Sequence, residues 1–309
     1  MGKWLRDFQY LKGKGNTAMT NGTNSQAPGP GEIKQFTGPD INLQEKWSAG
    51  IRTMLKEFTD YYFEALTAHN PAKLHFAPGV KFTENGVIKN VHMGEGFWQT
   101  AGKILLKRTL VDTKKFGTHT EAVMEENGKK VIFAARLGFD HGKIAEIETI
   151  IAREGDFAFN PDGLLATKDE DWEEILPFSR RSSRLAMIAA ANDYFDMFAL
   201  DPDVSTPFAQ VCDRWENGTQ TTVKQEGFPW SEGMTEHNCS PKGLVIPSHG
   251  PRRFLVDVEA GIVVAYVHFA SSLPDCHLFK MVDGEVKLIH ATVGPPCQSM
   301  NWPVPACDL

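Results

Sequence analysis

The chain has 309 residues, 41% of them hydrophobic and 23% charged, with a formal net charge of -7. That length is a prior for two domains of roughly 100–200 residues each. An acidic balance offers no electrostatic footprint for nucleic acid and is repelled by an anionic membrane surface. The longest apolar run, Ile262 to Ala270, contains His268 and is about half a membrane span.

Residues 1 to about 45 read as a flexible tail, because their Gly, Asn, Ser and Pro content buries too little surface to offset chain entropy. The start, Met1-Gly2-Lys3-Trp4-Leu5-Arg6, is followed by polar sequence where a signal peptide needs an apolar core, so a cytoplasmic protein is expected. From Leu43 the pattern becomes helical, with Ile51, Leu55, Phe58, Tyr62 and Ala65-Leu66 on one face and a stop at Asn70-Pro71. A short strand, Val80 to Thr83, breaks at Asn85-Gly86. Gly94-Glu95-Gly96-Phe97-Trp98 reads as a short helix. Four strand-like runs follow: Arg108 to Thr113, Thr120 to Met124, Val131 to Phe139 and Lys143 to Ala152. Asn127-Gly128 and His141-Gly142 are hairpin turns between the later ones. Helices followed by a meander give α+β.

Residues 156–184 read as an ordered connecting strap anchored by Trp172, Leu176 and Phe178. The order then repeats, with a helix from Arg184 to Leu200, strands at Val256-Asp257 and Ile262 to Phe269, and a last strand at Val286 to Val293. About ten extra residues are expected around Ser271 to Asp275. Tyr62-Phe63 recurs as Tyr194-Phe195, Phe76 as Phe208, Glu84-Asn85-Gly86 as Glu216-Asn217-Gly218, and Val131 as Val263, every pair 132 positions apart. Glu64/Asp196 and Ile132/Val264 are similar at the same offset. One register held over so many identities implies two copies of one folding unit, 46–155 and 185–309, in tandem.

All five cysteines lie in the second half at wide spacings, which predicts buried free thiols and neither a disulfide scaffold nor a CxxC metal site. Asn21-Gly22-Thr23, Asn217-Gly218-Thr219 and Asn238-Cys239-Ser240 match the glycosylation pattern, read as accidental without an export signal.

The helical start ending in Asn-Pro, the run Val80-Lys81-Phe82-Thr83-Glu84-Asn85-Gly86, the Gly94-to-Trp98 segment and the hairpin Asp140-His141-Gly142-Lys143-Ile144-Ala145-Glu146-Ile147-Glu148 together resemble the nuclear transport factor 2-like superfamily. The SnoaL-like branch, in its tandem form, is the most similar. The resemblance covers about 45–155 and, more loosely, 185–295. It implies two cones, each a curved antiparallel sheet wrapped on helices around an apolar pocket, packed sheet to sheet as an intramolecular pseudo-dimer, with homo-oligomers also open. Active members are typically cofactor-independent dehydratases, isomerases, cyclases and lyases working by acid–base chemistry, and other members only bind or scaffold. Function therefore has to be argued from the site.

Glu146 and Glu148 share one face of the closing strand, and the resemblance turns the position of Glu148 towards the pocket. A buried carboxylate there would have a raised pKa, as a general base requires; the alternative is a salt bridge to Arg136 or Arg153. In the second copy His290 takes that place, and His268 interrupts an apolar strand, so both imidazoles are expected to face one cavity. Tyr194 and His237 complete the catalytic candidates. Tyr62, Trp98, Glu84, Trp215, Glu216 and Arg253 are the substrate-binding candidates. Glu84 and Glu216 also fit a structural role, accepting backbone N–H groups beside their Asn-Gly turns. Cys276 and His277 are strand neighbours that point to opposite faces and form no dyad. No HxH or HExxH spacing supports a metal, and no glycine-rich loop supports a nucleotide. The expected function is a lyase, dehydratase or isomerase, without metal or organic cofactor, acting on a hydrophobic, aromatic substrate. The alternatives are a non-catalytic hydrophobic-ligand-binding or scaffolding pair, and an interaction module with an exposed apolar sheet face.

Overall fold

The computed structural model describes residues 41–199, 204–225, 230, 234–241, 244–246 and 249–303. Nearly all of the expected N-terminal tail, with Asn21, and also Cys307 lie outside the described residues. Helix α1 (Ile41–Thr67) turns Leu55, Tyr62, Phe63, Ala65 and Leu66 inward at helical spacing. It stops before Asn70, whose side chain accepts the Ala72 N–H and starts a short turn at Pro71. Strands β1 (Phe76–Glu84), β2 (Val87–Lys89), β3 (Ala101–Asp112), β4 (Gly117–Glu126), β5 (Lys129–Asp140) and β6 (Lys143–Ala152) form one sheet in the order β2-β1-β6-β5-β4-β3. After the strap, which carries the short helix α2 (Pro161–Ala166), come α3 (Arg184–Asp196) and strands β7 (Phe208–Glu216), β8 (Thr219–Gln220), β9 (Arg253–Asp257), β10 (Ile262–Phe269), β11 (Leu273–Val282) and β12 (Glu285–Val293). Their order is β8-β7-β12-β11-β10-β9, the same as in the first sheet. The protein is thus α+β, with two tandem units of one topology.

Three details differ from the sequence reading. Each sheet is mixed, because β1 runs parallel to β6 and β7 parallel to β12. β1 reaches β6 by a long excursion through the other strands, and without a hairpin nothing enforces antiparallel pairing. Ser271 belongs to a tight turn, and Leu273 to Asp275 already lie in β11; the extra length of the second unit sits between β8 and β9. Val131 lies on β5 and Val263 on β10, which are not equivalent strands, so that identity and the Ile132/Val264 similarity are coincidental.

The repeated Asn-Gly turns have a shared structural cause. Asn85 and Asn217 both adopt positive φ and use their side-chain amides to bridge the last strand of their unit: Asn85 exchanges two bonds with Ile151, and Asn217 two with Val293. Each following glycine is covered by a segment from outside its own sheet. A Cβ on Gly218 would collide with the carbonyl oxygen of Asn160 in the strap, and one on Gly86 with that of Ser299 after β12. The Asn217 amide also donates to Phe157 O at 2.7 Å. Replacing Asn217 by Ala removes three hydrogen bonds and forces Ala into the left-handed region. An expected loss of about 4 kcal/mol, read as a shift in urea midpoint with unchanged slope, follows from about 1 kcal/mol per bond and about 1 kcal/mol of added backbone strain.

The outer faces of the two sheets meet in an apolar seam built from Leu110, Ala134, Ile150, Leu255, Ile262, Val264, Tyr266 and Leu278. Ion pairs flank it reciprocally. Arg52 pairs with Asp257 while Arg184 pairs with Asp112, and each Asp also accepts a backbone N–H of the facing strand, from Val111 and Val256 respectively. Trp172 and Leu176 of the strap are buried, whereas Phe178 is exposed and anchors nothing. Among the described residues no helix is long and apolar enough to cross a membrane.

Candidate functional site

The site is built inside the second cone by strand alternation. On β7, Cys212, Arg214 and Glu216 share the inward face. On β11 the inward set is Asp275, His277, Phe279 and Met281, while Cys276, Leu278 and Lys280 point to the seam. Between these strands, Phe198 and the connection that precedes β9 lies a cavity of about 220 Å³. Its walls are mostly apolar, including Phe198, Leu244, Ile246, Phe269 and Val293, with Arg214, Glu216 and Asp275 as the charged groups. Phe157 of the strap completes the wall.

Asp275 and His277 are fully buried, with Oδ1 and Nδ1 2.9 Å apart. Among the described residues Asp275 Oδ2 and His277 Nε2 have no hydrogen-bond partner. Burial pushes the Asp275 carboxyl up; the nearby His277 opposes this, and Glu216 adds to it. Arg214 is held from three sides, donating to Thr221 Oγ1 at 2.8 Å, Tyr194 OH at 3.0 Å and Cys239 O at 3.2 Å, with Glu216 at 3.6 Å. Burial acts to lower its pKa, but the fields of Tyr194 and Glu216 outweigh this and raise it, so the guanidinium keeps its charge. Burial drives the Tyr194 hydroxyl up to about 12. A carboxyl of raised pKa, fixed by an imidazole and set across a mostly apolar cavity from a rigid cation, has the parts of a proton-transfer site.

The first cone lacks these parts. Strand register places Phe82 where the second unit has Arg214, Phe133 where it has Asp275, and Ala135 where it has His277. Among the described residues Tyr62, the counterpart of Tyr194, has no partner for its hydroxyl, nor has Trp98 for its indole N–H. Their rings meet edge to face at 5.5 Å inside a core of Phe63, Phe97 and Phe133. Glu84 accepts the Phe97 N–H at 2.7 Å and lies 3.9 Å from Arg153.

The residues singled out in the sequence therefore disperse. Tyr62, Trp98 and Glu84 lie in the first cone, and Tyr194 and Glu216 in the second. Glu148, Arg253, His290 and Trp215 lie on the seam. Glu148 is tied to Arg253 at 2.5 and 2.7 Å and to Arg136 at 2.9 Å. Burial acts to raise its pKa, but the two guanidiniums prevail and hold it low, the opposite of a poised base. His290 sits between Glu121 at 3.1 Å and Glu170 at 3.0 Å, with its ring 4.7 Å from that of Trp172. His268 lies on β10, with β11 separating it from His290, and its Nε2 is 3.0 Å from Cys297 O. His237 is exposed and meets Asp213 at 2.9 Å. The two histidines expected in one cavity thus share none. Arg214, Asp275 and His277 were not singled out as site residues. The signal that would have found the pair is the spacing Asp275-x-His277, which puts both on one strand face.

Cys212 and Cys239 form a disulfide, correcting the expectation of free thiols; Cys276 and Cys297 are free. Asn217 is fully buried, which closes that glycosylation motif. Among the described residues no group of three or more His, Cys, Asp or Glu is placed to hold a metal.

The seam position of His290 makes a pH-dependent contribution. Burial acts to lower its pKa, but Glu121 and Glu170 raise it above 6.5, and Glu121 is held down to about 2, chiefly by His290 against its own desolvation. A raised folded-state pKa contributes stability below the unfolded value that disappears as pH climbs through the folded one. The urea stability advantage of the wild type over His290→Asn is therefore expected to be larger at pH 5.5 than at pH 8.5. An advantage equal at both would contradict the ion pair.

A family model described as a domain of unknown function, DUF8021, matches residues 180–293, nearly the whole second unit. No curated protein matches the chain. Among solved structures the chain is similar to an NTF2-like protein of unknown function from Cytophaga hutchinsonii, at 9% identity over 31% of this chain and 88% of that one, with a TM-score of 0.28. It is also similar to a protein of unknown function with a cystatin-like fold from Methylobium petroleophilum, at 16% identity over 34% and 82%, TM-score 0.29. A third is IdmH from Streptomyces antibioticus, described as a candidate polyketide cyclase, at 16% identity over 31% and 91%, TM-score 0.25.

Proposed function

We propose that the second unit is a small-molecule enzyme that moves protons with its own side chains, and that the first unit supports it. One observation carries this: at equivalent positions the second cone has Arg214, Asp275 and His277 where the first has Phe82, Phe133 and Ala135. A buried ionisable group is costly, so three in one cone, against none at the matching places, point to use. In the proposed reaction the Asp275 carboxylate removes a proton from the carbon beside a carbonyl, and the carboxylic acid so formed either returns it to that carbon or gives it to a β-hydroxyl that leaves as water. His277 Nδ1–H stays on Oδ1 and fixes the carboxylate, and Arg214 faces the developing negative charge. Glu216 balances Arg214 at rest. A cavity of about 220 Å³ with mostly apolar walls fits a one- or two-ring compound.

The test is solvent-deuterium incorporation into a panel of one- and two-ring ketones and β-hydroxy ketones, followed by mass spectrometry with the full-length chain. Exchange or dehydration above buffer, lost in Asp275→Asn and kept in a first-cone variant such as Glu84→Gln, supports the proposal. Wild type and Asp275→Asn both at the buffer rate across the panel would favour a ligand-binding pair.

A further inference from the structure

We infer that the Cys212–Cys239 disulfide is a redox latch on the wall of the second cavity, so that a thiol reductant opens the site. This goes beyond the reaction proposed above, because it needs the cavity and not the chemistry. Cys212 lies on β7, two residues before Arg214, and Cys239 lies in the long connection between β8 and β9, 27 residues later in sequence. Both are fully buried. That connection supplies Met234, Leu244 and Ile246 to the cavity wall, and Thr221 at its start.

Beside the covalent bond, hydrogen bonds tie described parts of the connection to β7 and to its own start. Cys212 N–H donates to His237 O and His237 N–H to Thr222 O, at 2.9 and 2.8 Å. Cys239 O accepts from Arg214 at 3.2 Å. The sulfur bridge therefore lies between the wall and the strand that carries the cavity's cation. No regular strand pairing holds residues 234–241 or 244–246, which are in turn or irregular conformation. His237 Nδ1 also meets Asp213 of β7 at 2.9 Å and Ile246 N–H donates to Phe198 O at 3.1 Å, and an irregular segment held by scattered bonds opens at lower free energy once its covalent tie is cut.

The redox step balances simply. A dithiol reductant transfers two electrons and two protons to the sulfur pair, giving two thiols, and closes to its own disulfide. Cys239 is then free to leave β7, its carbonyl leaves Arg214, and Leu244 and Ile246 lose their fixed place over the cavity.

The experiment compares oxidised and dithiothreitol-treated full-length protein. Differential alkylation with mass spectrometry first assigns the bond. Binding of 2-naphthol, a two-ring fluorophore, and amide hydrogen exchange across 234–241 and 244–246 are then measured in both states. Reduction is expected to weaken 2-naphthol binding at least tenfold and to speed exchange in those residues at least tenfold, while β4 to β6 of the first unit stay protected. A Cys212→Ser/Cys239→Ser variant should reproduce the reduced state, and Cys276→Ser, altered at the seam, should retain the response. Cys212 and Cys239 alkylating without reductant would overturn the inference. So would a reduced bond with unchanged exchange, and exchange decides the matter even if 2-naphthol does not bind or the double variant fails to fold. Neither readout uses turnover, so failure of the latch and failure of the proposed reaction remain distinguishable.

Discussion

Replacing Asp275 by Asn is expected to lower turnover by about 10²–10⁴-fold, the usual loss when a positioned acid or base is removed. Asn preserves the volume and the hydrogen-bonding capacity towards His277 Nδ1, so the wall of the cavity and the melting temperature should change little. The KM should also move little, because the carboxyl acts on the proton in flight and not on the resting substrate. His277→Ala should give a smaller loss concentrated in kcat, since that ring touches Asp275 and reaches the substrate only through it. Steady-state kinetics on any panel compound that the wild type converts would check both. Turnover surviving Asp275→Asn but abolished by Glu148→Ala would move the chemistry to the seam and sink the assignment.

The sequence exposed the architecture because burial enforces pattern. Tyr62 and Tyr194 recur as cone interiors, and the Asn-Gly turns recur because a side-chain amide and a close backbone approach leave few other residues possible. A further part of the repeat was legible but outside the single register: Arg108-Thr109-Leu110-Val111-Asp112 recurs as Arg253-Phe254-Leu255-Val256-Asp257, shifted by the longer connection before β9. Arg52 and Arg184 do keep the 132 spacing, and their pairing with the aspartates of the opposite unit could be seen only once the sheets were apposed. The site was harder to see for the same reason. Whether a strand residue faces cone or seam depends on one step of alternation, and bulges in β1, β6, β7 and β12 reset that step. Glu148 and His290 thus carried the expected chemistry types on the wrong face, while Asp275 was absorbed into a supposed insertion. The disulfide was missed because its halves are distant in sequence and only the return of the connection onto β7 joins them. Such bonds persist mainly in oxidising compartments, which sets Cys212–Cys239 against the cytoplasmic location expected from the first residues.

Replacing Glu148 by Ala is expected to cost about 3–5 kcal/mol of stability, because it leaves two buried guanidiniums without their carboxylate. Arg136 and Arg253 are largely buried and converge on it from different units, so one side chain neutralises both halves of the seam. Glu146, which is half exposed, also pairs with Arg136, but Arg253 has no such second carboxylate among the described ion pairs. The loss should appear as a melting temperature lower by roughly 10 °C, and as a lower urea midpoint. The pH dependence gives the sign. A carboxyl whose folded pKa is depressed contributes stability above its unfolded value, and that contribution is lost as pH falls through the folded one. The wild-type advantage over Glu148→Gln should therefore be full near neutrality and shrink in acid. Removing the charges together, as Glu148→Leu with Arg136→Met and Arg253→Met, should cost much less than Glu148→Ala alone, because desolvation is relieved with the attraction. A single-variant cost below about 1 kcal/mol would mean that water reaches the pair, in line with exposed ion pairs, and that the apolar seam holds the two units without it.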